Sequence, residues 1–307
     1  EEGQEIEPEY FLPIVPTVIL NGSSGIAVGF ATNILNRNPK TVVKACLSVL
    51  ENKRMPKLPP WVNGFNGKFE RHPDNPKTWE IEGEYEVINS NTVKVTEIPP
   101  HLTYERYEEI LNSLVEKKWI QSYEDNSSEK IEYILKFSRS ILKDLIAKDK
   151  VKKVLRLTSR ETENLTTIDE NGDLKIFNKV EEIVKHFVDV RLEWYDKRKE
   201  HLISKTEKHL AVISNKARFI KDIIEVRLII NNVPKEKIVN YLKSNDYDTV
   251  HNSFDYLLTM SIQSLTKERY QKLLEEMKGC KIALKALKQT EPKEMYITDL
   301  KNLQKAL

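Results

Sequence analysis

Residues 7–39 of this chain read EPEYFLPIVPTVILNGSSGIAVGFATNILNRNP. Pro13 and Pro16 bracket Ile14 and Val15, and a residue that precedes proline is pushed out of the helical region. Residues 12–16 are therefore expected as a stiff, extended rod. Val18, Ile19 and Leu20 follow as a short buried strand, stopped by the turn signal Asn21-Gly22. Ser23, Ser24 and Gly25 lengthen that turn with small residues that admit another backbone or a phosphate. Ile26, Ala27, Val28, Gly29, Phe30 and Ala31 resume an apolar run in which tight packing is expected. Two readings stand side by side. One is a buried strand-turn-strand in an ordinary core. The other is a proline-braced apolar wedge beside a backbone-lined anion site, the pairing used by proteins that push apolar side chains between DNA base steps.

At 307 residues the chain has length for two or more domains with substantial cores. Its 39% hydrophobic and 31% charged content describes a helix-leaning, charge-rich chain. No run approaches the ~18 apolar residues of a membrane-spanning helix, and no partner membrane is expected. The opening Glu1-Glu2-Gly3-Gln4-Glu5 has neither the basic start nor the apolar core of a signal peptide, and the absence of an initiator methionine reads as a piece of a longer protein. Cys46 and Cys280 make no disulfide framework or zinc site and, lying in helix-like apolar patterns, are expected as buried free thiols in a reducing compartment. Net charge is only +2, yet residues 130–160 carry ten Lys/Arg against Glu132, Asp144 and Asp149, which makes a polyanion a plausible partner.

Residues 40–51 show helical periodicity, ended by three prolines between residues 53 and 60. Residues 61–97 read as strands with turns at Asn63-Gly64, Asn66-Gly67 and Asn89-Ser90-Asn91, the last joining a hairpin of residues 84–87 and 92–98. An amphipathic helix is expected over residues 103–118 and another strand over 130–137, so residues 40–177 form an α+β unit. Within it, Arg156 and Arg160 alternate with Thr158, Ser159, Thr162 and Asn164, after Lys150, Lys152 and Lys153. Such donors at strand spacing suit phosphate contacts, and they equally suit a charged strand edge that resists aggregation.

From residue 178 the pattern changes. Val180, Ile183, Phe187, Val190 and Trp194 step by threes and fours, as do Leu210, Ile213, Ala217, Ile220 and Ile224. With no Gly or Pro between residues 178 and 232, one helix of about 45 residues, about 65 Å long, is predicted. Tyr270, Leu273, Met277, Cys280, Leu284 and Leu287 return with the spacing of a coiled-coil seam, behind Thr266 as N-cap. Residues 178–231 and 264–290 are thus expected as a long antiparallel coiled coil. Residues 232–263 make a small helical globule at its tip and 291–307 a C-terminal helix. Phe254, Tyr256, Leu257, Leu258, Met260 and Ile262 form an apolar patch there, suited to pairing with a second copy.

The wedge run with Glu7-Pro8-Glu9, Asn21-Gly22-Ser23-Ser24-Gly25-Ile26 and Asn33-Ile34 closely resembles the breakage-reunion region of type IIA DNA topoisomerases. Thr96-Glu97-Ile98-Pro99, Lys197-Arg198-Lys199, Arg218-Phe219-Ile220, Asp255-Tyr256-Leu257-Leu258 and Asp299-Leu300 extend the likeness along nearly the whole chain, with a eukaryotic and T-even-phage flavour. The resemblance implies an α+β, multidomain protein: a gate segment at residues 1–39, a tower domain at 40–177, then the coiled coil, a C-gate globule and the last helix. It implies DNA binding through Val15, Asn21, Ser23, Ser24, Arg156, Thr158, Ser159, Arg160 and Asn164, with Val15 matching the intercalating isoleucine. It also implies a two-fold dimer and an ATPase and magnesium-binding module on the same or another chain. The nucleophilic tyrosine would lie upstream, so no catalytic residue, cofactor or metal is assigned to these residues, and Mg2+ and ATP would belong to partner modules. The expected location is intracellular, in the cytoplasm or, for a eukaryotic source, the nucleus. The competing function is a non-enzymatic coiled-coil DNA clamp or scaffold. The chain has no G-x-x-x-x-G-K-[ST], and its six histidines are scattered without ligand spacing. Asp246-Tyr247-Asp248 sits in a polar loop rather than after an apolar strand and is not expected to hold a metal.

Overall fold

The computed structural model describes residues 7, 8 and 11–307. Glu9 and Tyr10 of the opening motif lie outside the described residues. The chain divides into two compact units, Glu1–Val190 with Leu300–Leu307, and Arg191–Asp299.

In the first unit, helix α1 (Thr17–Asn21) leads into strands β1 (Ser23–Ile26) and β2 (Ala31–Ile34) and helix α2 (Pro39–Leu50). Strands β3 (Lys68–Arg71), β4 (Thr78–Glu82), β5 (Glu84–Asn89) and β6 (Thr92–Glu97) precede helix α3 (Tyr104–Glu116). Then come β7 (Ser122–Asp125), β8 (Tyr133–Lys136), α4 (Arg139–Ala147), α5 (Val151–Val154), β9 (Thr158–Thr162), β10 (Thr166–Ile168) and β11 (Leu174–Ile176). The strands form a β5-β6-β8-β7 sheet, a β3-β4-β9 sheet and two hairpins, β1-β2 and β10-β11, with antiparallel pairing throughout. The mixed α+β character expected from the sequence is therefore present.

The core beneath the four-stranded sheet follows from period-two burial. Val93 and Val95 of β6 and Tyr133 and Leu135 of β8 point to one face of their sheet, where Tyr107, Leu111 and Leu114 of α3 and Leu142 and Leu145 of α4 meet them. Helix α3 begins where expected, Thr103 Oγ1 accepting from the Arg106 N–H at 3.2 Å. Helices α4 and α5 were not anticipated, although Ile141, Leu142, Leu145 and Ile146 stand at helical spacing behind the Ser138 cap; α5 is a single turn of four residues.

Three expectations about residues 17–31 are corrected. Val18, Ile19 and Leu20 are helical in α1, not a strand. Pro16 stands before the first turn and Gly22, at φ +70°, ends it, the asymmetric punctuation of a short helix. Ser23, Ser24 and Gly25 then belong to strand β1, and the turn falls at residues 27–30, where the Ala27 N–H donates to the Phe30 carbonyl at 2.9 Å. Tight packing is also absent: a Cβ added at Gly25 or Gly29 would meet nothing within 4 Å. Gly29 is needed for its φ of +98° instead.

Helix α6 (Val180–Ile224) has 45 residues, as its unbroken pattern predicts, and continues into the second unit. That unit adds α7 (Lys235–Ser244), α8 (Asp255–Leu258) and α9 (Lys267–Gln289), while α10 (Pro292–Ala306) runs on past its boundary. Ile213, Ala217 and Ile220 of α6 pack against Leu273 of α9, flanked by Tyr270, Met277 and Cys280 at the predicted spacing. Tyr195 stacks on Tyr296 with ring centroids 4.6 Å apart, and its hydroxyl donates to Asp299 at 2.7 Å. Among the described residues, no helix is long and apolar enough to cross a membrane.

Candidate nucleic-acid interface

The hairpin β1-β2 presents its apolar residues outward. Ser23 pairs with Ile34, Ser24 with Asn33, Gly25 with Thr32 and Ile26 with Ala31. Ile26 is 94% exposed and Val28, in the turn, is fully exposed. Leaving two large aliphatic side chains in water forgoes about 1.5–3 kcal/mol each relative to burial. Val15, to which the resemblance assigned the wedge, is only 7% exposed, close to wholly buried Ile19.

The base of the hairpin is fastened to the segment linking β9 and β10. Asn33 and Asn164 exchange both backbone hydrogen bonds, each at 2.9 Å. The Asn33 side-chain amide donates to the Thr162 carbonyl at 2.8 Å, and that of Asn164 donates to the Ala31 carbonyl at 2.7 Å. The Asn164 oxygen accepts from Thr166 Oγ1 at 2.7 Å. Asn164, expected as a DNA contact, thus spends its amide on the protein.

Beneath lies a buried charge pair that sequence reasoning missed. Arg37, 0% exposed, gives two 2.9 Å bonds from Nη2 to the carboxylate of buried Glu163. Its Nε donates to the Leu58 carbonyl at 2.7 Å and Nη1 to that of Leu35 at 2.6 Å. Glu163 also accepts from Trp79 Nε1 at 2.9 Å and from the Leu35 N–H at 3.1 Å. Every arm of this cluster is satisfied, the condition under which a buried pair is tolerated.

On β9 the expected donors divide. Arg160 binds Glu80 of β4 through Nε at 2.9 Å and Nη2 at 2.6 Å, yet remains 64% exposed. Thr158 is exposed opposite Glu82, while the Ser159 hydroxyl is buried without a hydrogen-bond partner. Ser159 is therefore turned from solvent, unlike the phosphate donor expected there. Lys152 Nζ lies 2.6 Å from Glu82; burial works to lower its pKa, and the ion pair raises it on balance. Lys150, Lys153 and Arg156, together with Lys117 and Trp119, line an open concavity of about 590 Å³ in which the Glu109 carboxylate is already paired with Arg106. Exposed Arg156 holds φ at +55°, outside the usual range for such a residue. Asn21 and Ser24 are exposed, and Ser23 lines a separate, largely apolar cavity of about 510 Å³ with Leu12, Phe30 and Phe187. Among the described residues no three His, Cys, Asp or Glu side chains converge as a metal site requires.

In the second unit the expected apolar patch is largely interior. Phe254 and Leu257 are buried with Leu228, Leu242 and Tyr247, and Tyr256, Leu258 and Met260 pack against them. The side chain of Ile262 lies outside the described residues. Asp222 anchors this cluster, accepting from Tyr247 at 2.7 Å and Tyr241 at 3.2 Å. Exposed apolar surface is found instead at Val226 and Ile229, just beyond α6.

Comparison with known proteins agrees across the chain. The sequence pattern of the DNA gyrase/topoisomerase IV A-subunit family matches residues 1–303. DNA topoisomerase 2 of Arabidopsis thaliana is 30% identical over 100% of this chain and 24% of its own length. The DNA topoisomerase medium subunit of Enterobacteria phage T4 is 30% identical over 99% of this chain and 68% of its own. The crystal structure of the Plasmodium falciparum topoisomerase II DNA-binding, cleavage and re-ligation domain superposes with a TM-score of 0.87 at 30% identity, covering 100% of this chain and 46% of that one. The chain thus spans about a quarter of the Arabidopsis relative and two thirds of the phage one. A match this continuous settles the family: this chain belongs to the DNA gyrase/topoisomerase IV A-subunit family of type II DNA topoisomerases.

Proposed function

We propose that this chain is the DNA-holding, DNA-bending and exit-gate part of a type II topoisomerase that passes one duplex through a transient double-strand break in another. The observation that carries the reading is the β1-β2 hairpin, with Ile26 and Val28 exposed at its tip and its base stitched to the β9-β10 segment. Such a tip can enter a base step and stabilise a kink, offsetting the few kcal/mol that unstacking costs. Lys150, Lys153 and Arg156 would hold phosphates of the flanking duplex, with Asn21, Ser24, Thr158 and partly committed Arg160 beside them.

In this reading residues 1–39 form the gate segment and 40–177 the tower. Residues 178–231 and 264–290 make the antiparallel coiled-coil arm, with a globule of residues 232–263 at its end and residues 291–307 as the final helix. Two copies would meet through that globule as a two-fold dimer, the commonest arrangement of identical subunits, with Val226 and Ile229 at the adjoining end of the arm as exposed apolar surface. The nucleophilic tyrosine, Mg2+ and ATP would be supplied by other modules of the complete enzyme. A non-enzymatic DNA clamp gains nothing from the family match.

The test is end-to-end energy transfer on a labelled duplex bound to the intact protein. Bending should be seen, and Ile26→Ser should abolish it while the protein stays folded. Bending that persists unchanged in Ile26→Ser would refute the wedge.

A further inference from the structure

The cations around α3, α5 and β9 divide into spent and unspent. Lys94 pairs with Glu132, Lys148 with Asp144, Lys152 with Glu82 and Arg160 with Glu80. Lys117 at the end of α3, Lys153 in α5, and Lys150 and Arg156 on either side of α5 are exposed and have no ion-pair partner among the described residues. All four line the open concavity of about 590 Å³, where the Glu109 carboxylate is already held by Arg106. Like charges gathered without a counter-charge repel one another, and a polyanion relieves that repulsion. Among these cations stands an aromatic side chain. Of the four tryptophans, Trp79 is buried and Trp61 and Trp194 are half-buried, whereas Trp119 is 41% exposed and lines the concavity beside Ile110 and Val154.

We propose that this concavity binds single-stranded nucleic acid, an unpaired base stacking on Trp119 while Lys117, Lys150, Lys153 and Arg156 hold the phosphates on either side of it. Phosphates alone account for the lysines and not for the indole. In a continuous duplex the base faces are covered by their neighbours, so a duplex offers Trp119 only its backbone. An unpaired strand offers a free π-face, and its flexible backbone brings successive phosphates to clustered cations. Stacking of this kind is tolerant of sequence, because every base has a π-face. An acidic peptide satisfies the same cations but leaves the indole without a partner.

The assignment deepens the reading of this surface as a DNA contact and rests on it for the cations, yet the two fail differently. In the intact protein, fluorescence anisotropy follows a labelled short oligothymidylate, an abasic strand of equal length and a continuous duplex, with the parent, Trp119→Leu, Trp119→Phe and Lys117→Gln. Loss of one stacked base should weaken oligothymidylate binding about ten-fold in Trp119→Leu, and Trp119→Phe, which keeps a ring, should restore most of it. Duplex affinity and melting temperature should stay near those of the parent in both. The abasic strand should bind the parent more weakly than oligothymidylate and be indifferent to Trp119→Leu. Lys117→Gln should flatten the salt dependence of oligothymidylate binding by about 0.7 log units, one phosphate contact on a single strand. Equal affinity of the parent for oligothymidylate and the abasic strand overturns the assignment, and this comparison needs no variant to fold. Unchanged oligothymidylate affinity in Trp119→Leu overturns it as well. So does an acidic peptide of equal charge that binds more tightly than the strand, which marks a protein-docking surface. Parent protein that binds oligothymidylate as described yet fails to hold duplex refutes the gate reading instead and leaves this site standing.

Discussion

Replacing Glu163 by glutamine probes the buried pair on which the proposed interface stands. Arg37 is wholly enclosed, and the Glu163 carboxylate supplies both 2.9 Å bonds to Nη2. The amide introduced by Glu163→Gln keeps one acceptor oxygen but removes the counter-charge, leaving a buried guanidinium with neutral partners, that oxygen and the carbonyls of Leu58, Leu35 and Asn36. Breaking such a pair from one side costs about 3–5 kcal/mol. At about 2–4 °C per kcal/mol for a unit of this size, melting should fall by roughly 10 °C. The matching change at Glu80→Gln removes the partner of Arg160, which is 64% exposed, and should cost at most about 1 kcal/mol. Urea and thermal denaturation of the two variants side by side give the ratio directly. Equal, small losses in both would show that Arg37 is not electrostatically dependent on Glu163, and the reasoning from burial would be wrong.

Val15→Ala, as a core truncation next to buried Ile19, should lower stability by about 1–3 kcal/mol in urea denaturation without a selective loss of DNA bending; bending lost at unchanged stability would restore Val15 as the wedge. Neutralising Lys153 and Arg156 together should flatten the salt dependence of DNA binding by about 0.9 log units per lost phosphate contact and weaken binding evenly across sequences, whereas sequence-selective loss would mean base reading. Burial raises the Cys46 thiol from 9.0 to about 12, so the folded chain keeps its proton where the unfolded chain loses it. This contribution to stability is complete below about pH 9 and is lost as pH climbs toward about 12, a decline that Cys46→Ala should lessen in alkaline denaturation curves.

Long-range periodicity was the most legible part of the sequence. The unbroken run without Gly or Pro specified the 45-residue α6, and Thr266 marked the start of α9, its hydroxyl accepting from the Arg269 N–H at 3.2 Å. The β5-β6 hairpin was legible from Asn89-Ser90-Asn91 for the same local reason. Short apolar runs were not. Val18-Ile19-Leu20 suits a buried strand or a single helical turn equally well, and the choice was made by the Pro16 and Gly22 that flank it. Which aliphatics are exposed in the hairpin depends on where its turn falls: with the turn at residues 27–30 rather than 21–25, Ile26 and Val28 stand in solvent. The Arg37–Glu163 pair joins residues 126 positions apart, which no local pattern records. Likewise, the apolar patch at residues 254–260 was visible as composition, but its use as core by Leu228 and Leu242 was decided by tertiary packing.

The central claim is that the tip of the β1-β2 hairpin enters the bound duplex. It is tested most directly by placing a photoreactive side chain at position 26 or at position 15 of the intact protein and irradiating it on a short duplex. The account predicts covalent adducts to DNA bases from position 26 and none from position 15. Adducts from position 15 without any from position 26, or none from position 26 while the duplex is demonstrably bound, would contradict it.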